Sequence, residues 1–162
     1  MASGCFWGRE YHLRQLPGVV NTRVGFAGGH LPHPTYRQVC TKTTGHAETV
    51  EVTYDIRTLS TADLLTEFFA LHDATRNRQD RGGQYRSAIF VLAGDSAGPE
   101  QLQTAEASVE KLRQKGYAVQ TQIAEITAFY PAESRHQQYC SARGIAPERR
   151  DAEEIRKILT FK

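Results

Sequence analysis

The stretch "HAETVEVTYD", residues 46–55, decides the fold because apolar and polar residues alternate along it. Successive side chains of a strand point to opposite faces, so the alternation predicts a half-buried β-strand with Val50, Val52 and Tyr54 on one face. Counting back by twos places Glu48 on the same apolar face. Either burial raises the pKa of Glu48 and leaves a neutral proton donor near pH 7, or Glu48 lies at a frayed, solvated strand end.

The same rules predict the secondary structure of the segments around this strand. Strands are predicted at 19–27, 85–93 and 117–130, and helices at 5–16, 61–72, 99–116, within 132–143, and from Pro147 onward. Residues 30–39 form a proline-punctuated loop that ends in one helical turn from Thr35. This order predicts an α+β fold. If the first residues add a short strand, the core becomes ferredoxin-like (β-α-β-β-α-β), followed by C-terminal helices.

Size and charge narrow the function classes. The chain has 162 residues, the length of a single domain spanning 1–162, and its net charge is only +2. Mixed charges of both signs give no reason to expect nucleic acid or a membrane surface as a partner. No apolar run reaches the roughly 18–20 residues of a membrane span, and no signal-peptide pattern opens the chain. A cytoplasmic location is therefore expected.

The cysteines and histidines do not predict a metal site or a disulfide framework. Cys5, Cys40 and Cys140 are widely spaced, and no Cys-x-x-Cys pair occurs. A proline interrupts the spacing between His30 and His33. We expect neither a metal nor another cofactor, and each thiol is either core filler or reactive.

Cys5 is the strongest candidate for a reactive thiol. It begins the first helix, where unpaired N–H groups and the helix dipole favour thiolate over thiol. Phe6 and Trp7 follow directly and can form the wall of a small apolar pocket beside the sulfur. The alternative is that Cys5 is a small buried residue and the two rings are ordinary core.

Three weaker candidates lie in loops. Tyr36, in a loop, and Tyr85, at a strand end, can each direct a phenolic O–H into a cleft, although such tyrosines more often cover the surface. Asp80 lies in the charged loop 76–83, whose default interpretation is a solvated turn.

Six motifs taken together resemble a known family. They are "GCFWG" (4–8), "GFAGG" (25–29), "PTYRQVC" (34–40), "TGHAE" (44–48), "GGQYRSAIF" (82–90) and "FYPAESRHQQY" (129–139). In this order they are similar to the A-type peptide methionine sulfoxide reductases, which act on the S epimer of the sulfoxide. The resemblance runs from about residue 3 to residue 144 and implies a single catalytic domain.

The resemblance implies a role for each matching residue. Cys5 corresponds to the nucleophile, and Glu48 to the acid that protonates the sulfoxide oxygen. Phe6 and Trp7 correspond to the rings around the substrate methyl group. Tyr36 and Tyr85 correspond to the two phenols that bind the oxygen, and Asp80 to a carboxylate of the site. His136 and Tyr139 correspond to two supporting residues.

The resemblance also implies a thiol cycle. Cys5 becomes a sulfenic acid, a second thiol condenses with it, and thioredoxin or another thiol reductant restores it. Many family members carry resolving cysteines in a C-terminal tail, but the tail "ERRDAEEIRKILTFK" has none. Cys140 is then the best internal candidate. Cys40 is the next, with a buried structural role as its expected state, and direct attack by an external thiol is a third route.

Two other interpretations stay open. Cys5 and His46 can form the pair of a cysteine hydrolase, because strand parity directs His46 to the same face as Glu48. Alternatively, the aromatic residues form a non-catalytic cleft for peptides. B-type reductases fit poorly, since their usual Cys-x-x-Cys pairs are missing from the sequence.

Overall fold

The computed structural model describes residues 1–79 and 82–160. The strands are β1 (Ala2–Ser3), β2 (Val19–Ala27), β3 (Ala47–Tyr54), β4 (Ser87–Leu92), β5 (Gln122–Ile126) and β6 (Phe129–Pro131). The helices are α1 (Phe6–Arg14), α2 (Tyr36–Cys40), α3 (Thr61–Ala70), α4 (Gly98–Gln114), α5 (Tyr139–Ala142) and α6 (Glu153–Thr160), with one 3₁₀ turn at Ser134–His136. An α+β fold is thus confirmed.

The strands form two three-stranded sheets. One has the order β3-β2-β6 and is antiparallel throughout. The other has the order β1-β4-β5, in which β4 runs antiparallel to β1 and parallel to β5. The sheets meet where the Met1 amino group donates to the Val50 carbonyl at 2.7 Å and the Val50 N–H donates to the Met1 carbonyl at 2.8 Å.

The ferredoxin-like arrangement is not confirmed. It requires one continuous sheet, whereas β1 contributes only Ala2–Ser3 to its ladder with β4 and touches β3 through Met1.

The predicted strand at 117–130 is wrong as a single element. The chain bends at Thr127, so that β5 pairs with β4 in one sheet and β6 pairs with β2 in the other. The last helix also begins at Glu153 rather than at Pro147. Both differences depend on pairing and packing partners, which a local pattern does not contain.

Local signals account for the helices that carry the candidate site. Cys5 is the N-cap of α1, and Gly18, with φ +99°, allows the turn into β2. Thr35 caps α2 with a capping box completed by Gln38, as the predicted helical turn requires. Phe6 and Leu13 of α1 pack with Val24, Phe26 and Val50 of the antiparallel sheet. This packing holds the first turn of α1 against β3.

No helix in the described parts of the chain is both long and apolar enough to cross a membrane.

Candidate active site

Glu48 is the buried centre of the site. It lies opposite Phe26 in the β2–β3 ladder, and only 1% of its surface is exposed. The prediction that it faces the core is therefore confirmed, and the frayed-end alternative is wrong. Its Oε1 accepts a hydrogen bond from the Phe6 N–H at 3.2 Å, and its Oε2 accepts one from Gln84 Nε2 at 2.7 Å. The carboxylate thus contacts the residue directly after Cys5.

Burial raises the pKa of Glu48 to about 6. The hydrogen bonds from Gln84 and Phe6 act in the opposite direction because they stabilise the charged form. The prediction of a raised pKa is confirmed, but the prediction of a largely neutral acid near pH 7 is wrong. A pKa of about 6 leaves roughly a tenth of the carboxyl groups protonated at pH 7.

Cys5 is exposed at the start of α1, but its thiol is not the stabilised thiolate that the helix position predicts. Burial of the sulfur raises its pKa, the backbone N–H groups of Trp7 and Gly8 lower it, and the charge of Glu48 raises it again. Burial is the largest of these effects. The resting Cys5 is therefore a thiol with a raised pKa.

Aromatic rings pack in layers beside Cys5. The Trp7 indole stacks on Tyr139, with ring centroids 3.9 Å apart and planes 8° from parallel. Trp7 Nε1 donates to His136 Nδ1 at 3.1 Å, and the Tyr36 ring lies 4.3 Å from the His136 ring. The structure thus brings together four of the residues that the sequence predicted for the site.

Phe6 belongs to the core rather than to the open wall of the site. It is 1% exposed, and its ring lies 5.8 Å from Phe26 and 6.2 Å from Tyr36. Trp7 is half-buried and presents the accessible ring of the pair. A direct contact between Phe6 and a substrate stays a prediction.

The two predicted phenols share the environment of Glu48. Burial and the charge of Glu48 raise the pKa of Tyr36, and the same two effects raise the pKa of Tyr85 to about 12. Both groups therefore stay protonated at neutral pH and can donate hydrogen bonds. The charge of Cys5 also raises the pKa of Tyr85, which indicates that this phenol lies near the thiol.

The two further thiols differ in exposure and in their contacts. Cys140 is 5% exposed, and its charge contributes to the raised pKa of Cys5, as expected of a nearby group. Cys40 is exposed, so the expectation of a buried structural thiol is wrong. It ends the short helix α2, and its Sγ accepts a hydrogen bond from Gln84 Nε2 at 3.5 Å. The Gln84 amide thus contacts both Cys40 and Glu48.

Asp80 lies outside the described residues. Among the described residues, no group of three or more His, Cys, Asp or Glu side chains could hold a metal ion.

Comparison with known proteins gives the family. The chain matches the model of the family described as "Peptide methionine sulfoxide reductase" over residues 1–157. The chain belongs to this family.

Similar proteins carry the A-type name. Peptide methionine sulfoxide reductase MsrA of Rhodospirillum centenum is 51% identical over 144 residues, which are 84% of this chain and 64% of that protein. The chain thus spans less than two thirds of that relative's length. The solved structure of methionine sulfoxide reductase A of Corynebacterium diphtheriae matches with a TM-score of 0.73 and 38% identity, over 88% of this chain and 73% of that one. Mxr1 from Saccharomyces cerevisiae in complex with Trx2 matches with a TM-score of 0.54 and 27% identity, over 85% of this chain and 80% of that one.

The structure adds residues to the site that sequence reasoning missed. Gln84, which contacts Glu48 and Cys40, lies inside the motif "GGQYRSAIF", but no local pattern distinguishes it there. Glu10 is 1% exposed and accepts hydrogen bonds from the Gln138 N–H at 2.6 Å and from Thr22 Oγ1 at 2.8 Å. It thereby ties α1 to the segment that carries Tyr139. A carboxylate three residues after Trp7, in an otherwise weakly patterned helix, was the available signal.

His46 does not fit the role of a hydrolase base. Its Nδ1 accepts a hydrogen bond from the Gly29 N–H at 3.0 Å, and its Nε2 lies 2.7 Å from the Leu31 carbonyl. Both ring nitrogens therefore bind backbone groups of the loop after β2. With the ring 2% exposed, the arrangement is that of a structural histidine.

Proposed function

We propose that this protein reduces methionine (S)-sulfoxide, peptide-bound or free, to methionine, and thereby repairs oxidative damage. The observation that carries the proposal is the hydrogen bond between the buried Glu48 carboxylate and the N–H of Phe6, the residue after Cys5. It puts an acid with a raised pKa beside a thiol. Membership of the peptide methionine sulfoxide reductase family supports the same chemistry.

Cys5 and Glu48 act as a pair that shares one proton. Burial raises both pKa values, and with that of Glu48 at about 6, the proton lies mainly on sulfur at neutral pH. Its transfer to Glu48 creates the thiolate and the neutral acid together. The active form is therefore a minor arrangement of the singly protonated pair, and its pH dependence belongs to the pair rather than to either residue.

The chemical step transfers one oxygen atom. Glu48 protonates the sulfoxide oxygen, the phenols of Tyr36 and Tyr85 donate hydrogen bonds to it, and the Cys5 sulfur attacks the substrate sulfur. The sulfur–oxygen bond of the substrate breaks as the oxygen bonds to the Cys5 sulfur, and the sulfur–sulfur bond formed in the attack breaks with it. The substrate leaves as the thioether, and Cys5 becomes a sulfenic acid. Substrate sulfur gains the two electrons that Cys5 loses.

A second thiol then condenses with the sulfenic acid, which releases water and forms a disulfide. Cys140 is the proposed internal partner because it follows Tyr139, whose ring stacks on Trp7, two residues after Cys5. Its burial raises its own pKa, which slows its attack at neutral pH. Cys40, exposed and hydrogen-bonded to Gln84, is the alternative, and an external thiol is the third. Mass spectrometry after one equivalent of substrate, without reductant, identifies the thiol bound to Cys5.

The proposed reductant is thioredoxin. The structural relative from Saccharomyces cerevisiae was solved in complex with Trx2, which supports a similar partner for this chain. A cytoplasmic location is also proposed, because the three cysteines are free and a reducing compartment keeps thiols free.

The test is thiol-dependent turnover of a blocked methionine (S)-sulfoxide with dithiothreitol. We expect reduction of this epimer only, complete loss of turnover in Cys5→Ser, and a large loss in Glu48→Ala. Arg57→Gln is a control, because Arg57 pairs only with the neighbouring Asp55 on the surface of the described structure. Turnover retained in Cys5→Ser contradicts the proposal, and binding of oxidised peptide with no turnover in the native protein supports the aromatic binding module instead.

A further inference from the structure

A cavity of about 370 Å³ lined by arginines borders the proposed active site. Its four guanidinium groups come from three separate places in the chain: Arg9 on α1, Arg76 and Arg78 in the loop after α3, and Arg150 before α6. One carboxylate, Asp73, lines the same cavity, and its Oδ1 already accepts hydrogen bonds from the N–H and hydroxyl of Thr75. Among the described residues, four positive charges therefore face one negative charge.

The arginine-lined cavity reaches the residue before the nucleophile. Arg9 points back along α1, and its Nε donates to the Ser3 carbonyl at 3.0 Å. A side-chain carbon placed on Gly4 would lie 3.6 Å from a terminal nitrogen of Arg9 and 3.7 Å from one of Arg78. Two guanidinium groups thus converge on one point beside Gly4, close enough together for a single carboxylate to contact both. Gly4 and Cys5 are neighbours in the chain, so their Cα atoms are about 3.8 Å apart.

Tyr85 connects this cavity to the proposed active site. Its side chain lines the cavity, and the charges of Glu48 and Cys5 both raise its pKa. The arginines also act on one another, since the charges of Arg78 and Arg150 lower the pKa of Arg9. Within residues 1–79 and 82–160, none of the four arginines forms a salt bridge. The repulsion between the positive charges of such a cluster decreases when an anion binds.

We propose that the arginine-lined cavity binds a carboxylate of the substrate, so that the protein prefers oxidised methionines with Asp or Glu within two residues in a peptide. The inference rests on the proposed function and adds a substrate class to it. An extended peptide advances about 3.3–3.6 Å per residue. An acidic side chain one or two positions from a sulfoxide held at Cys5 therefore reaches the guanidinium groups beside Gly4. The guanidinium groups line one cavity and converge beside Gly4, the residue before Cys5. This arrangement suits a single carboxylate of the substrate better than a larger anionic partner.

The experiment compares blocked pentapeptides that have methionine (S)-sulfoxide at the centre and either Glu or Gln as its neighbours. Acetylated and amidated ends leave the neighbours as the only charged groups. We expect kcat/KM to be about threefold to tenfold higher for the Glu peptide at about 0.02 M ionic strength, mainly through KM. Salt screening is expected to reduce this preference at about 0.5 M.

The variant Arg78→Gln with Arg150→Gln is expected to bring the Glu-to-Gln ratio close to one. Arg9 is kept native because it also binds the Ser3 carbonyl. Arg57→Gln is the matched control, an exposed arginine outside the cavity, and is expected to keep the preference. Equal kcat/KM for the two peptides, or a preference that survives the double variant, overturns this inference and leaves the proposed function standing. If neither peptide is reduced, the proposed function fails and this inference fails with it.

Discussion

Replacing Gln84 with methionine is expected to move the acid limb of the pH–activity profile to higher pH. Gln84 Nε2 donates to Glu48 Oε2 at 2.7 Å, and this bond is the largest effect that lowers the pKa of Glu48 against burial. Methionine fills a similar volume without a donor. The charged form of Glu48 then loses its shortest hydrogen bond inside a site that stays dry.

The size of the effect follows from the strength of that bond. A hydrogen bond to a charged group contributes roughly 1.5–3 kcal/mol, and about 1.4 kcal/mol corresponds to one pKa unit. The pKa of Glu48 is therefore expected to rise from about 6 to between about 7 and 8. Below this pKa, Cys5 and Glu48 both hold a proton and the thiolate cannot form. Above it, the pair holds one proton, and a more basic Glu48 takes that proton from Cys5 more often.

The assay is kcat/KM for a blocked methionine (S)-sulfoxide with dithiothreitol, from about pH 5 to pH 9. The native protein is expected to gain activity as pH rises through about 6. The Gln84→Met variant is expected to gain activity at a pH one to two units higher and to reach a plateau about tenfold to a hundredfold higher. Gln101→Met, which removes a donor to the Tyr54 hydroxyl, is the matched control and is expected to leave the limb unchanged. An acid limb of Gln84→Met that stays near pH 6 or moves lower refutes the shared-proton mechanism.

Three further predictions concern stability and activity. Because the folded-state pKa of Glu48 lies above its ordinary value of 4.5, its protonation stabilises the fold at low pH, and this stability is lost as pH rises through about 6. Glu48→Gln is thus expected to be more stable than the native protein by about 2 kcal/mol at pH 8 and equal at pH 4 in urea unfolding; a gain of equal size at both pH values contradicts this. The pH dependence due to His72 has the opposite sign, because burial lowers its pKa to about 4. The native protein is therefore expected to lose about 3 kcal/mol of unfolding free energy as pH falls from 6.5 to 4. A loss of the same size in His72→Gln would assign the effect to other groups. Trp7→Phe keeps a ring on Tyr139 but removes the donor to His136, so kcat/KM is expected to fall about fivefold, and an unchanged value argues against a role for that bond.

Much of the site was predictable because its signals are local. The alternation in 46–55 placed Glu48 on the apolar face, and a helix start at Cys5 follows from its neighbours. The values of the pKa shifts were not predictable in the same way. They depend on Gln84, 36 residues from Glu48 in the chain, and on how far the surrounding protein shields the sulfur of the exposed Cys5 from water. For the same reason, the sequence alone does not exclude His46 as a catalytic base, whereas in the structure backbone groups occupy both of its ring nitrogens.

The amino-acid sequence by itself determined the α+β class, most of the strands and helices, and the inward direction of Glu48. Tertiary structure alone decided that 117–130 divides between two sheets and that four distant arginines share one cavity. The physical reason is one of range. Alternation and capping depend on neighbours a few residues apart, whereas strand partners, desolvation and charge clusters depend on segments that only folding brings together.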